Sequence, residues 1–331
     1  MEEYLSKGIK TARLALFLVA GIALTYYMLS RSGSVAETAS NIFNILGNCS
    51  LPWLSAALSL FILSQIIRSW RWKLLSDKHR ISMKQTLPVT SVYIGLSHLL
   101  PVRLADVALV GLFRKYASLP AGTGVATVML AKVMDVIAIG SVVSLSFVTG
   151  LTGPIIYLAA GISLLGISSL FFLSRILRLF SIPLKALLGN GRFSAAWDEM
   201  IESVRITKER RGALSLAMGI SIASWTVKLL MFHMLLRAVG VTGVPMWQVF
   251  TAGAITDLIM ALPIHGLLNL GTIEVGWVAG FALTGITDTL PGGLSVVEAG
   301  FSIHLLWLSM AVLLMLVGTS VLLISGGKDP S

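Results

Sequence analysis

Eight ionisable side chains interrupt otherwise apolar stretches of this chain: Arg103, Asp106, Lys132 and Asp135 in its first half, and Lys228, Asp257, His265 and Glu274 in its second. A charge at membrane depth is costly, so each is a candidate for binding something polar. Arg103 and Asp106 are three residues apart just after Pro101, which suits the start of a short helix, and His98 is close by in sequence. Free N–H donors at such a start, the positive end of its dipole and a bidentate guanidinium together favour a phosphate. Lys132 and Asp135 also stand three apart, so they share a helix face and are expected to neutralise each other. Lys132 falls about 15 Å into its stretch at the helical rise, too deep for easy snorkelling to a membrane surface. Glu274 follows Pro263 much as Asp106 follows Pro101. The eight together are the expected substrate-binding set, for an anionic head group whose passage rearranges the ion pairs. The bland alternative is a set of structural pairs that lock helices together. His233 and His304 read as core histidines on apolar faces.

The stretches that must position these groups are membrane spans. Of 331 residues, 56% are hydrophobic and 12% charged, with a mean hydropathy of +0.87, which excludes a soluble domain. Apolar segments near 13–30, 51–72, 122–147, 153–174, 212–238 and 299–325 reach the length of about 18 residues that a spanning helix needs. Two further apolar stretches are broken. Residues 86–116 are interrupted by Pro101 and Arg103, and residues 248–286 by Pro263, His265, Gly266, Asn269 and Gly271. The expected fold is an all-α polytopic membrane protein with six full spans and two broken or re-entrant hairpins, or alternatively eight spans. Its order, span-span-hairpin-span and then the same again, reads as an inverted repeat with halves 1–150 and 151–331. Broken segments at matching places in two such halves are where transporters build their sites.

The net charge of +10 raises nucleic acid as a partner, but the distribution of the cations argues otherwise. They gather before the first span (Lys7, Lys10, Arg13), after the second (Arg68 to Lys84), at Arg114 and Lys115, and throughout 175–211. The intervening loops carry Arg31 and Arg237 beside Glu37, Asp288 and Glu298. That asymmetry is the positive-inside pattern, and it places both termini in the cytoplasm. The hairpin 86–116 then enters from the cytoplasm and 248–286 from outside. In the polar segment 175–211, Trp197, Ile201 and Val204 stand at helical spacing, as in an amphipathic helix on the inner membrane surface. Arg68-Ser69-Trp70-Arg71-Trp72-Lys73 reads as an interface anchor, or as a basic funnel for a lipid head group.

Cys49 is the single cysteine, so no intrachain disulfide or cysteine metal cluster is available. Ser34-Val35-Ala36 loosely resembles a signal cleavage site, but a retained first span is the better reading. Zinc-protease, phosphate-loop and nucleophile-elbow motifs are missing. The expectation is therefore no enzyme, no metal and no cofactor.

The hairpin residues carry a resemblance. Arg68 to Trp72, Tyr93-Ile94-Gly95 and Leu100-Pro101-Val102-Arg103-Leu104-Ala105-Asp106 resemble one signature of the lysylphosphatidylglycerol synthase transmembrane-region family, also described as flippase-like. Leu262-Pro263-Ile264-His265-Gly266 with Gly271-Thr272-Ile273-Glu274 resembles the second, and Val297-Glu298-Ala299 followed by His304 fits the last span. Asn269-Leu270 stands where a more glycine-rich run is expected. The resemblance covers nearly the whole chain and implies an inner-membrane protein of bacteria or archaea, with Arg103, Asp106 and Glu274 as site residues. Without an aminoacyltransferase domain it does not imply lipid aminoacylation. It implies flippase-like movement of an anionic phospholipid or polyprenyl-phosphate-linked sugar, in support of cell-envelope glycolipid or lipid modification. Two other readings stand beside it: a subunit that presents lipid to a glycosyltransferase partner, and an ion-coupled exporter of a small solute with Asp135 or Asp257 as proton carrier.

Overall fold

The computed structural model describes residues 19, 21–76, 81–100, 104–147, 192–260 and 267–326, with scattered positions between 157 and 179. Arg103, His265, Pro101 and Pro263 lie outside the described residues, as do part of the first expected span and most of the fourth.

Helices make up the described chain, as an all-α polytopic membrane protein requires. Four of them are long and apolar enough to cross a membrane: Leu51–Leu75 (α2), Ala121–Phe147 (α5), Arg211–Ala238 (α7) and Val296–Gly326 (α10). At 25 residues, α2 extends about 37 Å, enough for a hydrocarbon core about 30 Å thick. A backbone that satisfies its own hydrogen bonds is the only kind a lipid-facing span tolerates. These helices also keep apolar side chains on the outside: Leu63 of α2 and Leu323 of α10 are exposed.

Both broken stretches come out as pairs of shorter helices. Met83–Leu99 (α3) and Leu104–Ala117 (α4) flank the Pro101 break, and Met246–Ile259 (α8) and Thr272–Leu283 (α9) flank the Pro263 break. At 14 residues, α4 and α8 reach only about 21 Å, short of a full crossing. Before α9 the chain passes through a 3₁₀ turn, Leu267–Asn269, with φ of 58° at Leu268, 60° at Asn269 and 80° at Gly271. Such left-handed backbone ends one helix and re-aims the next. Small residues let the two legs touch: a Cβ added at Gly276 would lie 2.5 Å from Thr256 Cα, and one at Gly280 would strike the Ala252 backbone. Small residues four apart on each helix are a recurrent means of close approach in membranes.

Two other helices lie outside the spans and hairpins. Val35–Gly47 (α1) occupies the loop after the first span. The Ser34 hydroxyl caps it by accepting from the Glu37 N–H at 3.2 Å, and Asn41 donates to Glu298 at 2.8 Å. Arg192–Glu209 (α6) carries the amphipathic stripe expected of 175–211. That stripe packs on protein where a membrane surface was expected: Met200 and Val204 join Ala126, Leu130 and Leu177 in a buried cluster, with Trp197 and Ile201 against it.

By compactness the chain divides into two units, 1–59 with 95–105 and 229–312, and 60–94 with 106–228 and 313–331. Each draws on both sides of residue 150, so the compact units and the sequence halves are different divisions of the chain.

Candidate functional site

The second unit holds two charged clusters. The first joins the legs of the hairpin α3–α4 to the long helix α5. Asp106 sits in the first turn of α4, where a carboxylate is favoured by the positive end of the helix dipole. The Tyr93 hydroxyl on α3 donates to Asp106 at 2.8 Å. Lys132 on α5 completes a triangle, with its ammonium 3.0 Å from the same carboxylate and donating to the Tyr93 oxygen at 3.1 Å. The Lys132 side chain remains 41% exposed, against 19% for Asp106. Tyr93 itself is buried.

The second cluster lies one turn further along α5. Asp135 is held by a two-pronged contact from Arg71 of α2, one prong of which runs from Nη2 to Oδ2 at 3.2 Å. The Trp225 indole of α7 donates to the same carboxylate at 2.8 Å, and Ser221 accepts from Arg71 at 2.8 Å. Lys228 lies over the Trp225 ring, 4.7 Å from its centroid. Arg71 is 1% exposed. Lys132 and Asp135 therefore have separate partners, Asp106 and Arg71, although their spacing suggests that they pair with each other. Helix spacing brings two side chains to one face, but a planar fork on a neighbouring helix outcompetes a flexible amine for a buried carboxylate. The motif read as an anchor or funnel thus supplies a buried ion-pair partner in Arg71. Nothing in the sequence marks it apart from Arg68, three residues before.

The first unit has its own polar centre. Glu274, in the first turn of α9, contacts His304 of α10, with 2.6 Å between Oε1 and Nδ1, and both side chains are fully buried. The His98 ring on α3 is 6.4 Å from that of His304 and packs edge-on against Trp307 at 4.3 Å. Asn269, in the strained turn, donates its side-chain amide to the Ser97 carbonyl at 3.1 Å. It adopts the left-handed backbone a glycine would and also ties the turn to the end of α3. Phe232 of α7 packs edge-on to both Trp277 and Trp307. His304, read from sequence as a core histidine, is buried, yet it partners the candidate carboxylate. Its place in the family signature was the available signal.

Of the eight candidates, the structure brings Asp106 and Lys132 together, gives Asp135 to Arg71 and Trp225, sets Lys228 beside that pair on Trp225, and joins Glu274 to His304. Asp257 is partly buried on α8, next to the Thr256 that meets Gly276. No group of three or more metal-ligating side chains occurs among the described residues.

No curated protein and no solved structure matches the chain at a significant level. A family model described as the lysylphosphatidylglycerol synthase TM region matches residues 12–308. That span takes in every helix from α1 to α9 and the His304 turn of α10, so both hairpins and all three clusters fall within it. The chain is a multi-pass membrane protein and belongs to the lysylphosphatidylglycerol synthase TM region family.

Proposed function

We propose that this protein moves an anionic lipid, a phospholipid or a polyprenyl-phosphate-linked sugar, between the leaflets of the cytoplasmic membrane in support of cell-envelope lipid or glycolipid modification. The observation that carries the reading is Lys132. Its ammonium lies about 17 Å along a spanning helix, at mid-membrane depth, and is still 41% exposed while paired with Asp106. A closed structural pair would hide its cation. An open one can exchange partners: a lipid phosphate replaces the Asp106 carboxylate on Lys132, while Tyr93 keeps its hydrogen bond to Asp106. The exchange leaves the Asp106 carboxylate on the Tyr93 hydroxyl alone, so a second cation is needed to offset the several kcal/mol that an unpaired ion at depth costs.

The family description supports a lipid context, since it names the membrane region of a lipid-modifying enzyme. The proposed activity breaks no covalent bond. Arg103, beside the first helix break, and Lys228 add positive charge for the head group to follow. The inverted repeat and the cytoplasmic placement of both termini rest on segment order and charge distribution, and they belong to this proposal.

The test is purified protein in liposomes carrying phosphatidylglycerol with a fluorescent acyl chain, with quencher added outside. Faster loss of inner-leaflet fluorescence than in empty liposomes is expected, and K132Q should reduce it at least tenfold. No acceleration with either phosphatidylglycerol or a polyprenyl phosphate would sink the transport reading and leave the lipid-presenting subunit in its place.

A further inference from the structure

Glu274 and His304 are a costly arrangement for a purely structural contact. Both are fully buried, and among the described residues the second carboxylate oxygen, Oε2, and the second ring nitrogen, Nε2, have no partner. Buried polar atoms in finished cores are nearly always paired, because each orphan costs about 1–3 kcal/mol. Among the described residues of the same unit, the Trp277 indole N–H and the Ser302 hydroxyl are also buried without partners.

We propose that Glu274 and His304 form a proton-binding site that couples lipid movement to a transmembrane proton gradient. The inference rests on the transport reading above. In the proton-poor form, neutral His304 donates its Nδ1 proton to the Glu274 carboxylate, and the pair carries one negative charge. Uptake of one proton, at Nε2 or at the free carboxyl oxygen, brings the pair to zero net charge. No other bond forms or breaks. Both side chains are sealed from water, so neither uptake nor release of the proton proceeds in this conformation. Release then requires a conformation in which water reaches the pair, so proton traffic is tied to opening.

The surrounding elements are arranged for such movement. Glu274 stands just after the left-handed turn at Leu268 and Asn269, on a short helix that begins at a break, while His304 belongs to the long helix α10. Shifting α9 relative to α10 separates the two groups. Among the described residues of this unit, the titratable and charged side chains on the packed elements are His98 on α3, Asp257 on α8, His233 and Arg237 on α7, and Glu298 on α10. Tyr26 and Tyr27 lie on the helical segment 21–30, whose Leu24 meets Gly271. Glu298 is already engaged by Asn41, and His233 by Arg237. The His98 ring, 6.4 Å from that of His304 by centroids, is a natural second stop for the proton.

The experiment uses the same liposomes with a pH gradient imposed in either direction. The gradient is expected to change the rate by up to about tenfold per pH unit, the limit for one proton per step. The ratio of rates with and without the gradient should fall to unity in E274Q and in H304N. Lipid movement that ignores the gradient in the wild type, or a ratio unchanged in both variants, overturns the coupling and leaves the transport proposal standing. If the wild type moves no lipid at all, the transport reading fails and the proton site is judged by infrared difference spectra of the purified protein. There, a protonated-carboxyl band that appears on acidification and is lost in E274Q supports the site, and its absence overturns it. Should E274Q fail to fold, E274D, which keeps the acid but shortens its reach to His304, must shift that band's pH profile.

Discussion

Two lysine–aspartate and arginine–aspartate pairs sit one helical turn apart on α5, and their exposures separate their roles. Arg71 is 1% exposed and bonded to Asp135 and Ser221, so it can neither leave nor be reached without unfolding its surroundings. Replacing it by Met strands the Asp135 carboxylate without its cation and takes the guanidinium away from Ser221. R71M should lower stability by about 3–5 kcal/mol, the usual result of breaking one side of a buried pair, and the double change R71M/D135L should recover part of that loss. Thermal unfolding of the purified protein in detergent checks both. Lys132 is the opposite case. It is partly exposed, with Asp106 and the Tyr93 oxygen as partners, so K132Q should cost less stability than R71M while removing lipid movement. D106N leaves the ammonium without its resident anion. It should tighten binding of an anionic lipid and slow its release, visible as a lower apparent KM with a lower maximal rate. The charged positions themselves were legible in the sequence, because an ion in an apolar stretch is conspicuous. Their partners were not. A three-residue spacing pairs Lys132 with Asp135 locally, whereas the actual partners come from α2, α3 and α4, and only packing decides among them.

At the scale of elements, Pro101 and Pro263 made the two interruptions legible in the sequence, and the described helices α3, α4, α8 and α9 lie on either side of them. The Asn269-Leu270 run in place of glycine was the uncertain part, and its resolution is physical. Asparagine tolerates left-handed backbone better than other residues with a side chain, and here its amide also holds the Ser97 carbonyl. N269G should therefore keep the turn but lose the tie, whereas N269V should lose both and destabilise the protein more, a ranking that unfolding midpoints can test. The close contact of α8 with α9 depends on Gly276 and Gly280. G280L puts a branched side chain into the Ala252 backbone and should prise the hairpin apart, seen as rapid protease cleavage between α8 and α9. The amphipathic stripe on α6 was visible as a periodicity, but periodicity cannot say what covers an apolar face. Lipid and protein present the same demand, and Ala126 and Leu130 of α5 meet it. Helix α1 was harder still. A 13-residue helix in a polar loop has no spanning length to announce it, and its signals, the Ser34 cap and Glu37 in the first turn, are short and common.

At the scale of the whole molecule, the composition makes a membrane protein unavoidable, and the distribution of cations adds a direction. With Lys and Arg concentrated at the ends of alternate spans, the proposed orientation puts Cys49, between α1 and α2, outside the cell and α6 inside. Because Cys49 is the single cysteine and is partly accessible, the native protein carries its own topology probe. A membrane-impermeant maleimide added to intact cells stripped of any outer barrier should label the wild type. In a Cys49→Ser background, a cysteine placed at the exposed Glu202 of α6 should label only after the membrane is permeabilised. The reverse pattern would invert the protein. It would also exchange the proposed entry faces of the two broken hairpins, so that Asp106 sits on the hairpin opening outward and Glu274 on the one opening inward. The direction in which a proton gradient drives lipid would then reverse as well, so the labelling result predicts the sign of the gradient effect before any transport is measured.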